Sequence, residues 1–176
     1  MQVKGRRRVL FLCTGNSARS ILAEAILNKV GSPHFEAVSA GSHPTGSVNP
    51  LALNLLADLG YETAGLRSKS WDEFATADAR PIDIVITVCD AAASEVCPVW
   101  VGHPVTAHWG LPDPAAVEGN VSEKKAAFVQ VYRTLQARID RLLEAAGSDM
   151  PVSVLKRKLN DIGRVVAPET EPNEPV

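Results

Sequence analysis

A cysteine between an apolar run and a short polar loop is the most chemically distinctive feature of this sequence. The segment 8–20 reads RVLFLCTGNSARS, so Cys13 follows four apolar residues and Arg19 lies near the end of the loop. Small residues between them allow successive backbone N–H groups to point inward, as in cradles that bind tetrahedral oxyanions. The pattern therefore predicts that Cys13 is a nucleophile that attacks an oxyanion held in this loop.

Each residue of the loop fits a role in holding an anion. Gly15 and Asn16 tolerate positive φ angles, and Arg19 can bind two oxygens of one anion. The helix that follows adds partial positive charge, so we predict that the pKa of Cys13 lies below the usual value of about 8.5. Ser20 is expected to donate a hydrogen bond to the thiolate. The predicted oxyanion-binding residues are Thr14, Gly15, Asn16, Ser17, Ala18, Arg19 and Ser20.

A carboxyl group on a proline-stiffened loop could supply the proton that such a reaction needs. Asp113 lies between Pro112 and Pro114 in the segment 109–115, WGLPDPA. Expulsion of an oxygen is faster when a carboxylic acid protonates it, by roughly 10²–10⁴-fold. We therefore predict that Asp113 is the general acid.

Two further cysteines, Cys89 and Cys97, follow the β-branched run at 82–88. Their spacing does not match the close-set patterns typical of zinc sites, so we predict no metal site. If one unbroken helix joined them, their Cα atoms would be about 12 Å apart, whereas a disulfide requires roughly 4.4–6.8 Å. A Cys89–Cys97 disulfide could form only if this segment unwinds. On the residues alone, the favoured interpretation is that both cysteines are buried or incidental.

Alternating strands and helices must position these residues. Apolar runs predict strands at 8–13, 35–40, 82–88 and 105–109. Helical spacing and end signals predict helices at 21–30, 50–59, 71–74, 122–146 and 154–166. This alternation is typical of an α/β fold, here a single domain whose four-stranded parallel sheet has helices on both faces. Sites in such sheets lie at the carboxyl ends of the strands, where Cys13, Cys89 and the Asp113 loop would meet.

Length and composition limit the class of protein. The chain has 176 residues and a net charge of −2, which fits one domain and gives no case for a nucleic-acid or membrane partner. Three cysteines without a visible secretory signal favour the reducing cytoplasm. We predict a basic lead-in at 1–7, the main domain at 8–150, an amphipathic segment at 151–166 and a disordered tail at 167–176.

The anion loop resembles the active-site loop of the low-molecular-weight tyrosine phosphatase superfamily, and CTGNSARS is most similar to its arsenate reductase branch. In that family the loop cysteine is the nucleophile, the arginine binds the oxyanion and the aspartate of an Asp-Pro loop is the acid. The resemblance implies these roles for Cys13, Arg19 and Asp113, on a low-molecular-weight phosphatase-like fold. Phosphatases commonly have a second cysteine directly before the arginine, where this chain has Ala18.

The cysteine pair resembles that of the thioredoxin-coupled arsenate reductases, which implies a relay. Cys13 would attack arsenate, and Cys89 would then attack Cys13 and release arsenite. Cys97 would attack Cys89 and leave a Cys89–Cys97 disulfide for an external reductant. The resemblance implies no tightly bound cofactor, with thioredoxin as the expected thiol reductant and glutathione with glutaredoxin as the alternative. The protein is expected to be a monomer.

Two alternatives stay open at this point. A phosphatase acting on phosphotyrosine or small phosphoesters would need only Cys13, Arg19 and Asp113, and would leave the other cysteines without a role. A redox-sensing or anion-binding module without turnover is the second alternative. Some family members also bind a monovalent cation near the loop. We do not predict one here, where the candidate ligands would be Asn16, Glu24, Ser39 and Asp72.

Overall fold

Four parallel strands form one sheet in the computed structural model, which describes residues 5–145 and 150–168. The strand order is β2-β1-β3-β4, and every neighbouring pair is parallel. The predicted strands are therefore confirmed, and Cys13 lies at the carboxyl end of a central strand. The strands are β1 (Arg7–Cys13), β2 (Phe35–Gly41), β3 (Ile84–Thr87) and β4 (Val105–His108).

Helices connect the strands and follow the last of them. The helices are α1 (Arg19–Val30), α2 (Pro50–Asp58), α3 (Asp90–Ser94), α4 (Val121–Ala145) and α5 (Val152–Ile162), with 3₁₀ turns at Trp71–Phe74 and Pro114–Ala116. The predicted helices are found with small shifts at their ends. The short helix α3 is an addition to the predicted elements. Its N-terminal cap is a cysteine, which is not one of the usual capping residues: the Cys89 sulfur accepts from Ala92 N at 3.4 Å.

Both faces of the sheet are buried against helical segments. One face carries the larger core, in which Phe11 and Trp109 pack against residues of α1, α4 and α5. The other face packs against the 3₁₀ turn at Trp71–Phe74 and against Trp100. The continuous apolar runs of the strands follow from this burial on both sides.

The segments predicted at the two ends of the chain extend beyond the described residues. β1 begins at Arg7, the last residue of the predicted lead-in, and residues 1–4 lie outside the described residues. Of the predicted tail at 167–176, residues 169–176 also lie outside the described residues. Among the described helices, none has the length and apolar character needed to cross a membrane.

Candidate active site

The anion loop joins β1 to α1, and its backbone leaves N–H groups available. Asn16 adopts a left-handed φ of 45°, as its residue type allows. Ala18 caps α1 without a side-chain hydrogen bond, and the first turn of α1 contains no acidic residue. Since the first N–H groups of a helix lack internal partners, this end of α1 can bind an anion.

A fully buried asparagine holds the loop from behind. Asn16 Nδ2 donates to Ser20 Oγ and to Ser39 Oγ, both at 2.9 Å, and Asn16 Oδ1 accepts from Lys69 N at 2.9 Å. Ser20 therefore binds Asn16, and the predicted hydrogen bond from Ser20 to Cys13 is not found among the described residues. The hydrogen bonds of Asn16 and Ser20 therefore hold the loop in its conformation.

Behind Asn16 lies a buried ion pair that the sequence did not reveal. Glu24 Oε2 accepts from Ser39 Oγ at 2.7 Å, and Lys69 Nζ lies 3.9 Å from the same carboxylate oxygen. Burial raises the pKa of Glu24 and lowers the pKa of Lys69, while the attraction between them opposes both shifts. Three of the four candidate cation ligands, Asn16, Glu24 and Ser39, thus meet around this pair. Lys69 lies in a weakly patterned segment, so no sequence signal pointed to it.

The end of β2 approaches the loop so closely that only glycine fits. A Cβ atom on Gly41 would collide with the carbonyl oxygens of Thr14 and Cys13. Gly41 N donates to Lys69 O at 2.9 Å, and His43 N donates to Thr14 O at 3.0 Å. The loop is therefore clamped between β2 and the segment that carries Lys69.

Cys13 and Cys89 are both buried free thiols, and each shifts the pKa of the other. The hydrogen bond with Cys89, and then burial, raise the pKa of Cys13 against the lowering effect of Arg19. The pKa of Cys89 is lowered to about 5, chiefly because Cys13 donates to it, while burial opposes this shift. The prediction of a lowered pKa for Cys13 is therefore wrong. Of the two thiols, Cys89 has the lower pKa.

Backbone and hydroxyl groups also favour the Cys89 thiolate. Ala92 N donates to its sulfur at the start of α3, and Thr14 Oγ1 lies 3.8 Å from it. The same Thr14 hydroxyl donates to Glu95 Oε1 at 3.2 Å, so one hydroxyl connects the anion loop to both ends of α3. Sequence reasoning missed Glu95, which lies between two cysteines without a recognisable motif.

Arg19 brings the anion loop and the predicted acid together. Its NH1 donates to Leu111 O at 2.9 Å, and its NH2 lies 3.8 Å from Asp113 Oδ2. The Asp113 side chain is 45% exposed, and its Oδ1 accepts from Ala115 N at 3.0 Å. One carboxylate oxygen is thus fixed by the backbone, while the other faces the guanidinium that would bind the oxyanion.

The segment between Cys89 and Cys97 is not one helix. α3 ends at Ser94, and Glu95 has extended backbone angles (φ −80°, ψ 153°). Cys97 is exposed, and its neighbours Val96 and Val99 are 94% and 83% exposed. The structure therefore brings Cys13, Cys89, Arg19 and Asp113 together and leaves Cys97 at the surface beyond the end of α3.

A histidine ties the start of α3 to the edge strand. His108 Nε2 lies 2.8 Å from Asp90 Oδ1, and His108 Nδ1 lies 2.7 Å from Thr87 Oγ1. The imidazole therefore supports the helix that follows Cys89. Among the described residues, no group of three or more His, Cys, Asp or Glu side chains is placed to hold a metal ion.

Several solved structures superpose on this fold. An arsenate reductase from Archaeoglobus fulgidus superposes with a TM-score of 0.62 at 28% identity, over 77% of this chain and 98% of that one. A thioredoxin-dependent arsenate reductase from Corynebacterium glutamicum superposes with a TM-score of 0.61 at 27% identity, over 82% of this chain and 63% of that one. A tyrosine phosphatase from Erwinia amylovora, at 20% identity and a TM-score of 0.61, shares the fold.

Sequence comparison gives the family. Arsenate reductases from Halalkalibacterium halodurans and Bacillus licheniformis are 35% and 36% identical to this chain over 139 residues, which is 79% of this chain and 96% of each relative. Residues 8–153 match the family described as low molecular weight phosphotyrosine protein phosphatase. Since this match covers most of the chain, the protein belongs to the low-molecular-weight phosphotyrosine protein phosphatase family.

Proposed function

We propose that this protein reduces arsenate to arsenite, with Cys13 as the nucleophile and its three cysteines as a relay. The observation that carries the proposal is the position of the buried Cys89 sulfur at the anion loop, 3.8 Å from Oγ1 of Thr14, the residue that follows Cys13. A phosphatase needs one thiol at this place, whereas a second sulfur near the first gives an adduct a route to a disulfide. The relatives described as arsenate reductases support the same substrate.

In the first step Cys13 Sγ attacks arsenic and an arsenate hydroxyl leaves. The S–As bond forms, the As–O bond breaks, and the proton that Cys13 held leaves the site in the water released. Backbone N–H groups of the loop and Arg19 stabilise the oxyanion. Asp113, 3.8 Å from Arg19 through Oδ2, donates a proton to the departing hydroxyl and recovers one from Cys13.

In the second step Cys89 Sγ attacks Cys13 Sγ. The S–S bond forms and the S–As bond breaks, with its electron pair going to arsenic, so As(V) becomes As(III) while the two sulfurs lose two electrons. Before the adduct forms, the pKa of Cys89 is lowered to about 5, so Cys89 has already lost its proton when Cys13 reacts. Once Cys13 is bound to arsenic it no longer donates to Cys89, and Cys89 becomes the stronger nucleophile.

In the third step Cys97 gives its proton to solvent and attacks Cys89 Sγ; the Cys89–Cys97 bond forms, the Cys13–Cys89 bond breaks, and Cys13 leaves as a thiolate that takes up a proton. This step requires α3 to unwind, which is inexpensive for a five-residue helix whose only core side chain is Ala92. A groove of about 350 Å³ flanks α3 and is lined by Ala93 and Cys97 among others. An external dithiol then reduces the Cys89–Cys97 disulfide. The exposure of Cys97 and its valine neighbours favours a protein such as thioredoxin, with glutaredoxin and glutathione as the alternative.

A phosphatase is the second candidate, because Cys13, Arg19 and Asp113 are a sufficient set for phosphoryl transfer through a cysteinyl intermediate. In that case Cys89 and Cys97 would have no part in turnover. Substituting each of these two cysteines therefore separates the two functions.

The test measures multiple-turnover arsenite release from arsenate with thioredoxin and its reductase, against glutathione with glutaredoxin. The proposal expects wild-type turnover, none in Cys13→Ser or Cys89→Ser, and at most slow turnover in Cys97→Ser. Full turnover in Cys89→Ser would overturn the relay. A wild-type protein that hydrolyses phosphoesters but never yields arsenite would establish the phosphatase instead.

A further inference from the structure

The loop that carries Asp113 is held at its base by two arginines. Leu111 O accepts from Arg19 NH1 at 2.9 Å, whereas the carbonyls of Trp109 and Gly110 accept from Arg138 NH1 at 3.0 and 3.3 Å. Three successive carbonyl groups of this loop therefore receive guanidinium hydrogen bonds. Arg19 belongs to the anion loop, but Arg138 belongs to α4 and touches no reacting group.

Arg138 is a buried cation whose described partners are backbone carbonyls. Arg138 is only 2% exposed, and burial lowers its pKa. Its Nε donates to Val165 O at 2.8 Å. A buried guanidinium is unfavourable unless its N–H groups are bonded, and an apolar side chain packs at lower cost. Its neighbours on α4, Leu135, Ile139 and Leu142, fill the core in that way. Packing alone therefore does not explain an arginine here.

The Val165 carbonyl belongs to a C-terminal segment that lies almost wholly beyond the family match, which ends at residue 153. This segment comprises α5 and residues 163–168, and α5 packs against β4. Its buried residues are Leu155, Leu159, Ile162 and Ala167. The residues proposed above for the reaction all precede it, so its role in this chain is a separate question.

The same segment binds the residues that lead into the acid loop. Trp109 Nε1 donates to Leu159 O at 2.7 Å, and His108 N donates to Asn160 Oδ1 at 3.2 Å. Arg138 then joins the segment, through Val165, to the carbonyls of Trp109 and Gly110. The base of the acid loop is thus fixed from α4 and from the C-terminal segment at once.

We propose that Arg138, together with the C-terminal segment it binds, is the positioning residue for the general acid. The clamp keeps the base of the loop in place, so that Asp113 stays beside Arg19 when the leaving oxygen is protonated. This proposal rests on the proposed function, in which Asp113 is that acid. Because a misplacement of about 1 Å can lower a rate by up to about 10²-fold, loss of the clamp slows the chemical step while arsenate binding by the anion loop remains.

The test is a double-mutant cycle on single-turnover arsenite release by the fully reduced protein. It compares wild type, Arg138→Met, Asp113→Asn and the double variant. We expect Arg138→Met to lower the maximal rate about tenfold. The arsenate concentration that gives half of the maximal rate should stay nearly unchanged. We expect the double variant to be no slower than Asp113→Asn. Without the Asp113 carboxyl group, the position of the loop no longer affects proton transfer. The matched control is Arg141→Met on the exposed side of α4, which should release arsenite at the wild-type rate.

If Arg138→Met lowers the rate by the same factor with and without Asp113, Arg138 does not act through the acid and the positioning proposal is wrong, while the proposed function stands. If Asp113→Asn alone leaves the rate unchanged, the acid role fails and the positioning proposal fails with it. Should Arg138→Met not fold, Arg138→Lys replaces it in the cycle. Lysine keeps the charge but lacks the fork that binds both segments, so a loss of about threefold with the same dependence on Asp113 is expected.

Discussion

Cys13, at the end of β1, and Cys89, at the start of α3, are buried free thiols at the same edge of the sheet. This placement follows from the sheet, because β1 and β3 are parallel neighbours whose carboxyl ends meet at one edge. In the proposed relay Cys89 attacks Cys13, so both sulfurs are needed at this edge of the sheet. Of the two, Cys89 has the lower pKa, as the second nucleophile of the proposed relay requires.

The first prediction concerns the ionisation of Cys89. The wild-type protein should show one thiolate that forms as pH rises through about 5, measured by absorbance near 240 nm. Cys13→Ala removes the largest cause of the lowered pKa, so the titration should move to higher pH. Cys97→Ser is the matched control and should leave it in place. An unchanged titration in Cys13→Ala would show that the Cys13 thiol does not stabilise the Cys89 thiolate.

The second prediction concerns the hydroxyl of Thr14. Thr14→Val keeps the shape of the side chain but removes a hydroxyl that lies 3.8 Å from Cys89 Sγ and contributes to its lowered pKa, so the pKa of Cys89 should rise. The contact is long, so we expect single-turnover arsenite release to fall only about threefold at pH 5 and to recover at pH 8. Thr14→Ser retains the hydroxyl and should follow the wild-type pH profile. A Thr14→Val profile identical to wild type at both pH values would contradict the prediction.

The third prediction concerns the buried pair behind the anion loop. Lys69→Met leaves Glu24 without its cation in a buried site, so we expect the free energy of unfolding to fall by roughly 3 kcal/mol in urea titrations. Adding Glu24→Gln to Lys69→Met should restore a large part of that loss, because the buried charge is then removed. Losses that simply add in the double variant would show that the two side chains are not coupled.

Much of the fold could be predicted because its signals are local. The apolar runs at β1 and β3 and the Asn49-Pro50 helix start lie within short windows of sequence, and the structure has the elements they predict. The nucleophile and its arginine were also readable, since Cys13 and Arg19 lie in one loop. Asp113 could be singled out because prolines flank it.

The rest depends on residues that meet only after folding. Lys69 reaches Glu24 and Ser39 from a distant segment without periodicity, so its role is visible only in three dimensions. The pKa of Cys13 was predicted from the helix and Arg19, but a sulfur from the neighbouring strand end reverses its direction. Arg138 looks like one of many charged residues on a long helix until its carbonyl partners are known.

The relay is tested most directly by mapping the disulfide formed in the Cys97→Ser variant after reaction of the fully reduced protein with one equivalent of arsenate. Without Cys97 the relay stops after its second step, so peptide mass spectrometry should find a Cys13–Cys89 disulfide together with one arsenite released per protein. Cys89→Ser should yield neither product. Arsenite release without a Cys13–Cys89 disulfide would contradict the account.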